Sequence, residues 1–331
     1  MRKLRIAVLG ATGAVGREML RLMEEYQIEP EELRLLSGPK NDGTRISFRG
    51  KRLPVRCADD ECFRGLDYVL GAADQPVSRR FAPAIRASGA VYIDNSSAFR
   101  LDPDVPLVVP EINGADAFRH QGLIANPNCS TVITLMAVAA IHRLSPIRAM
   151  VVSTYQAVSG AGVRGLRELE DQLAAYVQGH EPKAEVFSAP IAMNLIPMIG
   201  ELQPNGYTDE EMKMQNEGRR ILHAPELKVS CTCVRVPVMR SHSISVNLWT
   251  EAPVGVDAAR AAIARFPGCR LADGGVPTPL ETGGQDLVWV GRLREDLTQP
   301  NGLSLWCCGD QIRKGAAANA LQILQLLEKD R

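Results

Sequence analysis

Leu4-Arg5-Ile6-Ala7-Val8-Leu9-Gly10-Ala11-Thr12-Gly13-Ala14-Val15-Gly16 joins a short apolar run to three evenly spaced glycines. Met19, Leu20, Leu22 and Met23 follow at helical spacing, so the stretch reads as strand, glycine turn, helix. In such a unit the glycines at 10, 13 and 16 let the backbone turn tightly, approach a pyrophosphate and pack the helix on its strand. The helix start meanwhile favours the phosphate charge. A purely structural turn is the alternative reading of the same spacing.

Outward from that turn, residues 33–36 form a second strand that ends in Ser37-Gly38-Pro39-Lys40, with no carboxylate at its tip. An acidic residue there would bind the ribose hydroxyl of NAD, whereas Ser37 and Lys40 suit the 2′-phosphate of NADP. Lys40 also reads as an ordinary solvated lysine. Residues 67–72 and 90–94 supply further strands, with a helical pattern at 77–87 between them. This alternation predicts an α/β fold with a Rossmann-type, doubly wound parallel sheet. Asn95-Ser96-Ser97-Ala98-Phe99-Arg100 follows one of these strands directly, at the carboxyl end where such sheets bind ligands. Arg100 reads either as a bidentate holder of an anionic group or as a surface arginine.

Asn126-Pro127-Asn128-Cys129-Ser130-Thr131 leads into ten apolar or small residues at 132–141. Pro127 keeps the residue before it out of helical geometry, so the loop delivers Cys129 to a helix start. The positive end of that helix favours a thiolate over the thiol, and a thiolate is a nucleophile. A small buried cysteine that merely packs is the competing reading.

Beyond Cys129 the texture changes to longer β-type runs at 148–156, 229–236, 243–249, 287–293 and 303–308. Ile244, Val246 and Leu248 alternate with Ser243, Ser245 and Asn247, as in a sheet with one more polar face. A second, α+β domain with a mixed sheet follows from this. Leu166, Leu169, Leu173 and Val177 mark one helix, with Gly179 as its stop. Thr208 with Glu211 forms a capping box that opens another. Glu210, Lys213 and Glu217 share a face of that second helix, which by itself reads as solvated. His242 is suited to proton movement near neutral pH, although a single histidine is more often structural. A last helix, 312–327, is placed to return to the first domain, giving domains 1–129 plus 311–331 and 130–310.

Bulk properties narrow the partners. Lys plus Arg and Asp plus Glu are 38 each, so no overall field attracts nucleic acid or an anionic membrane. Arg2, Lys3 and Arg5 precede too short an apolar run for a signal peptide or membrane span. The eight cysteines, at 57, 62, 129, 231, 233, 269, 307 and 308, fit neither a disulfide framework nor a zinc site. No metal and a reduced, cytoplasmic setting are expected.

Taken together, the glycine turn, Asn95 to Arg100, Val109-Pro110-Glu111-Ile112-Asn113, the Cys129 loop, Ser153-Thr154-Tyr155-Gln156-Ala157-Val158-Ser159-Gly160, Cys233-Val234-Arg235-Val236-Pro237 with His242, Val290-Gly291-Arg292 and Arg313-Lys314-Gly315-Ala316-Ala317 resemble the aspartate-β-semialdehyde dehydrogenase family. The resemblance spans nearly the whole chain. It implies an NADP-dependent, phosphate-using aldehyde dehydrogenase of lysine, threonine and methionine biosynthesis, acting as a homodimer or homotetramer through its second domain. Its substrates would be L-aspartate 4-semialdehyde, L-aspartyl-4-phosphate and phosphate. Carried over by position, Cys129 is the nucleophile and His242 the general acid/base. Gln156 orients the substrate, Glu210 meets its amino group, Arg235 its α-carboxylate, and Asn128 assists at the acyl group. Arg100 and Lys213 hold phosphate. Gly10, Thr12, Gly13, Ala14, Val15, Gly16, Ser37, Lys40, Ser159, Gly160 and Asn319 are the implied cofactor residues.

Three departures from the family pattern stand out. Ala72-Ala73-Asp74-Gln75 replaces a glycine-rich turn and sets a carboxylate near the expected pyrophosphate. Ser37-Gly38-Pro39-Lys40 differs from the usual Ser-x-Arg-Ser, and Gln311 stands for a usual Asn. These keep two rivals open: a silent relative that retains the fold for binding, and a reductase of another acyl phosphate or acyl thioester. Glu210 separates the latter, because a substrate without an amino group would give it no partner.

Overall fold

The computed structural model describes residues 3–272 and 274–329. Met1, Arg2, Asp330 and Arg331, assigned above to the first domain, lie outside that range. The chain divides into two compact units, residues up to Asn128 together with those from Ala316, and Cys129–Gly315. Cys129 therefore belongs with the second unit, and residues 311–315 stay with it rather than with the first.

The first unit starts with β1 (Arg5–Leu9), the glycine turn and α1 (Ala14–Glu25), then β2 (Glu32–Ser37), β3 (Arg45–Phe48), β4 (Lys51–Cys57), β5 (Tyr68–Gly71), α2 (Gln75–Ala87), β6 (Val91–Asp94), a short α3 (Pro110–Asn113) and β7 (Leu123–Ala125). The strand order is β3-β4-β2-β1-β5-β6-β7, and every neighbouring pair is parallel except β3 with β4. From β1 the chain winds first to one side and later, through β5, to the other, so the switch point lies at the carboxyl ends of β1 and β5. Burial explains the strand composition: Ile6, Val8, Leu35, Tyr68, Leu70 and Ile93 all face the core. The β3–β4 hairpin was not foreseen, because only Ile46, Phe48 and Val55 of it are buried among many arginines and lysines. Its turn, Arg49 and Gly50, has positive φ at both positions (47° and 73°), which suits the twist of a two-residue hairpin.

The second unit contains α4 (Cys129–Leu144), β8 (Ile147–Gln156), α5 (Gly162–Val177), α6 (Asp209–Ile221), β9 (Lys228–Arg235), β10 (His242–Thr250), α7 (Val256–Arg265), β11 (Cys269–Leu271), α8 (Pro279–Thr282), β12 (Val288–Glu295) and β13 (Gly302–Gly309). Its six strands run β11-β12-β13-β10-β8-β9, with β8–β9 and β11–β12 parallel and the other pairs antiparallel, so the sheet is mixed. Helix α4 is buried on all sides from Ser130 to Ile141. It packs against the sheet and against α6 and α7, which explains why its sequence shows no polar stripe. Met150, Val152, Ile244, Val246 and Leu248 form the buried sheet face. On the opposite face Val151 is exposed, and Tyr155 and Trp306 pack with ring centroids 5.5 Å apart.

The closing helix begins as a π-helical turn, Arg313–Ala317, and continues as α9 (Ala318–Lys329), which packs on α1, α3 and β6 of the first unit. No helix among the described residues is long and apolar enough to cross a membrane.

Candidate functional site

In the first unit, the residues of the glycine turn divide by what their surroundings demand. Gly10 has φ +90°, and a Cβ there would lie 2.5 Å from Ala72 O. A Cβ on Gly16 would lie 2.3 Å from Gly10 O, so helix and turn meet only because that side chain is missing. Gly13 is different. Its backbone is ordinary extended chain (φ −74°, ψ 171°), and an added Cβ would only touch Gly10 O at 3.4 Å. Nothing among the described residues requires that glycine, and it caps α1, a helix start that leaves its first N–H groups without partners inside the helix. Ala14 and Val15 continue this turn into α1.

Thr12 and Ser37 share a hydroxyl contact of 2.9 Å, and Asn41 donates to both, at 3.2 and 3.1 Å. Sequence reasoning missed Asn41, which stands one residue after the exposed Lys40 on a single 3₁₀ turn. Asp42 lies just beyond, but its carboxylate accepts the Cys57 N–H at 2.8 Å. Asp74 caps α2 by accepting the Val77 N–H at 3.3 Å, so its carboxylate serves its own helix.

Arg100 is buried, not a surface arginine. It donates through Nε to Asn126 O (2.9 Å) and through one terminal nitrogen to Asn95 O (2.7 Å), which ties together the loops after β6 and β7. The first loop is fixed in turn by Asp94, whose carboxylate accepts from the hydroxyls of Ser78, Tyr92 and Ser96. Asn319 donates to Val108 O and to Asn126 Oδ1, at 2.9 and 2.7 Å, holding the loop that ends in the buried Asn128.

In the second unit, parallel pairing sets Gln156 at the end of β8 opposite Arg235 at the end of β9, and antiparallel pairing brings the start of β10 beside them. One edge of the sheet thus carries Gln156, Arg235 and His242. Cys129 is the first residue of α4, and its Sγ lies 3.5 Å from His242 Nε2. The Ala157 N–H donates to His242 Nδ1 at 3.1 Å, so the neutral ring carries its proton on Nε2, facing the sulfur. Complete burial, with the Arg235 charge adding to it, holds His242 well below the ordinary histidine range.

Arg235 donates to Ala157 O at 2.7 Å and lies over the Phe187 ring. A cavity of about 260 Å³, lined in part by Phe187, Ile196 and Met198, opens beside it. Burial pulls the Arg235 guanidinium below its usual range, partly countered by Cys129 and Glu210. On α6, Glu210 accepts from Gln156 Nε2 at 3.3 Å and from Lys213 Nζ at 3.0 Å. Lys213 also meets Asp209 at 3.0 Å, and although burial works against its charge, the two carboxylates raise it above the ordinary lysine range. The face carrying Glu210, Lys213 and Glu217 is therefore not simply solvated: Glu210 and Glu217 are buried. The capping box of Thr208 and Glu211 sets the start of this helix, and Glu211 also accepts the Cys233 N–H.

Two further glycines shape this edge. A Cβ on Gly160 would lie 2.7 Å from an Arg235 nitrogen and 3.5 Å from His242 Cε1, and one on Gly315 would lie 2.8 Å from Cys129 Cβ. The π turn after β13 brings Gly315 there, a contact no local pattern announces. Ser159 accepts from Gln311 Nε2. No group of three or more His, Cys, Asp or Glu among the described residues could hold a metal ion. The arrangement can offer a nucleophilic thiolate, a proton-carrying ring beside it, N–H groups at a helix head for a developing oxyanion, and paired charges for a zwitterion.

Residues 5–120 match the family model described as semialdehyde dehydrogenase, NAD binding domain, and residues 138–314 match semialdehyde dehydrogenase, dimerisation domain. Fold and matches define a two-domain oxidoreductase with a nicotinamide-nucleotide-binding domain. The aspartate-semialdehyde dehydrogenase of Synechocystis sp. is 48% identical, over 98% of this chain and 97% of its own length. That of Aquifex aeolicus is 44% identical, over 98% of each. The crystal structure of aspartate semialdehyde dehydrogenase II from Vibrio cholerae complexed with ASA superposes with a TM-score of 0.96 at 39% identity, covering 100% of this chain and 99% of the other. The chain belongs to the aspartate-semialdehyde dehydrogenase family.

Proposed function

We propose that this protein catalyses the reversible, NADPH-dependent reductive dephosphorylation of L-aspartyl-4-phosphate to L-aspartate 4-semialdehyde and phosphate, in the cytoplasm, within lysine, threonine and methionine biosynthesis. The observation that carries the reading is Cys129 Sγ at the head of α4, 3.5 Å from the Nε2 of a buried histidine.

The thiolate of Cys129 attacks the acyl carbon of the acyl phosphate, a mixed anhydride. The carbon–oxygen bond to phosphate breaks, phosphate leaves with the electron pair, and a thioester remains on the sulfur. The hydride that reduces this thioester would come from a nicotinamide cofactor, when one is bound by the residues named below. His242 Nε2–H supports negative charge on the sulfur in the resting state and then meets the oxyanion left after reduction. When this oxyanion collapses, its electron pair re-forms the carbonyl, the carbon–sulfur bond breaks, the aldehyde leaves, and the thiolate is restored beside Nε2–H, which keeps its proton. The N–H groups at the start of α4 and Asn128 favour the oxyanion.

Arg235 meets the substrate α-carboxylate, Glu210 the amino group, and Gln156 orients the two; this charge pattern favours an amino-acid substrate over a simple dicarboxylate. Arg100 and Lys213 answer the phosphate. Gly10, Gly13 and Gly16 with Thr12, Ala14 and Val15 cradle the pyrophosphate, and the glycine that the protein itself does not require, Gly13, is the one a phosphate would approach. Ser37, Lys40 and Asn41 favour a 2′-phosphate, so NADP is preferred to NAD. Ser159, Gly160 and Asn319 complete the cofactor residues. A homodimer or homotetramer would use the open sheet face that carries Tyr155 and Trp306.

Phosphate-dependent reduction of NADP by aspartate semialdehyde tests the proposal. Cys129→Ala should lower turnover by on the order of 10³-fold or more. Enzyme trapped mid-turnover should gain the mass of an aspartyl group on Cys129, and an unmodified Cys129 in a turning-over enzyme would sink the mechanism.

A further inference from the structure

We propose that Gln311 is a positioning residue: its carboxamide holds the left-handed turn at Ser241 that aims His242 Nε2 at Cys129 Sγ. The inference rests on the reading of Cys129 and His242 given above. Ser241 immediately precedes His242 and has φ +77°, a backbone region that residues with a Cβ hold only when their surroundings over-determine it.

The surroundings do so here. Ser241 is fully buried, and its N–H donates to Gln311 Oε1 at 2.8 Å. Its hydroxyl lies 2.5 Å from Thr282 Oγ1 and 3.5 Å from Cys308 Sγ. Gln311 is itself buried, and its Nε2 donates to the hydroxyl of Ser159 in the turn after β8. The same turn supplies the Ala157 N–H that seats His242 Nδ1. Gln311 therefore links the turn that fixes the ring's Nδ1 to the backbone that carries the ring. Without the Oε1 acceptor, a buried N–H loses its partner and the strained turn has less to hold it, so backbone relaxation swings the imidazole away from the sulfur. Gln311 stands where the family that the chain resembles usually has Asn.

The test compares wild type, Gln311→Leu and Gln311→Leu with Ser241→Gly. Misaligning a proton-handling ring by about an ångström costs on the order of 10- to 100-fold, so Gln311→Leu should lower kcat by that amount, with KM for the semialdehyde within about twofold. The rate at which iodoacetamide alkylates Cys129 at neutral pH should fall several-fold in the same variant. Adding Ser241→Gly should restore most of both, because glycine adopts φ +77° without strain. Gln311→Met, an unbranched side chain of similar length, serves if the leucine variant does not fold. A hydrogen-bond-free variant that keeps kcat and alkylation at wild-type values, or a glycine replacement that rescues neither, overturns the inference. Alkylation needs no substrate. A wild-type protein inactive on the semialdehyde would therefore defeat the functional reading, while the alkylation rates would still decide the role of Gln311.

Discussion

The turn after β1 and the sheet edge that holds Cys129 and His242 are built on opposite plans. In the turn, seven consecutive residues set the backbone, and the close contacts of its glycines are with the turn itself or the neighbouring strand end. At the sheet edge, Cys129 and His242, the pair proposed to react, are separated by 113 positions in sequence, and their surroundings come from β8, β9, α6 and the turn after β13. A contiguous site tolerates distant substitutions and fails at its own residues. A dispersed one can fail through residues that touch no ligand.

The largest test of this contrast concerns phosphate. Replacing Arg100 with Ala should raise the KM for phosphate by about 10- to 100-fold and leave that for the semialdehyde nearly unchanged, as expected for loss of a charge-assisted anion contact. Equal effects on both would remove the assigned role and recast the buried arginine as a brace between loops.

Within the glycine turn, two substitutions should separate folding from binding. Gly16→Ala forces a Cβ to 2.3 Å from a backbone oxygen and should cost about 1–3 kcal/mol of stability, read as a lower unfolding midpoint. Gly13→Ala should keep the melting temperature and raise the KM for NADP roughly tenfold, because the added methyl would stand where the pyrophosphate is proposed to approach. A Gly13→Ala protein that binds NADP normally would show that the glycine is not a phosphate seat.

The smallest effect is one of pH. Burial first, and Arg235 second, hold His242 well below the ordinary histidine range. Between that depressed value and about 6.5 the unfolded chain binds a proton that the folded one refuses, so stability rises with pH in this window and is lost as pH falls through about 6.5. Denaturant unfolding should show a steeper acid-side loss for wild type than for His242→Gln. Parallel curves would mean that the ring takes up its proton as readily in the folded protein as in the unfolded chain.

Much of the fold was legible because its signals are local. The capping box at Thr208 and Glu211 formed as read, and the strand runs at 148–156 and 243–249 fall within β8 and β10. Strands β3 and β4 escaped because an edge hairpin buries one face only thinly, leaving a sequence dominated by charge. The cysteine and histidine were visible as residue types suited to the chemistry, and the family resemblance joined them. The contacts of Asn41, Gln311 and Gly315 had no such signal. An asparagine that bridges two hydroxyls, a glutamine that accepts a buried N–H and a glycine beneath a thiol have no periodicity and no spacing.

By itself the sequence determined the parallel nucleotide-binding sheet, the helix headed by Cys129 and the second, mixed-sheet domain, because hydrophobic period, glycine placement and helix capping act over a few residues. Only the tertiary structure decided that Arg100 is buried, that Asp74 serves its own helix, and that His242 carries its neutral proton on the atom facing sulfur. Those outcomes depend on which backbone groups lie within hydrogen-bonding reach, and that is set by strands pairing across a hundred residues of chain.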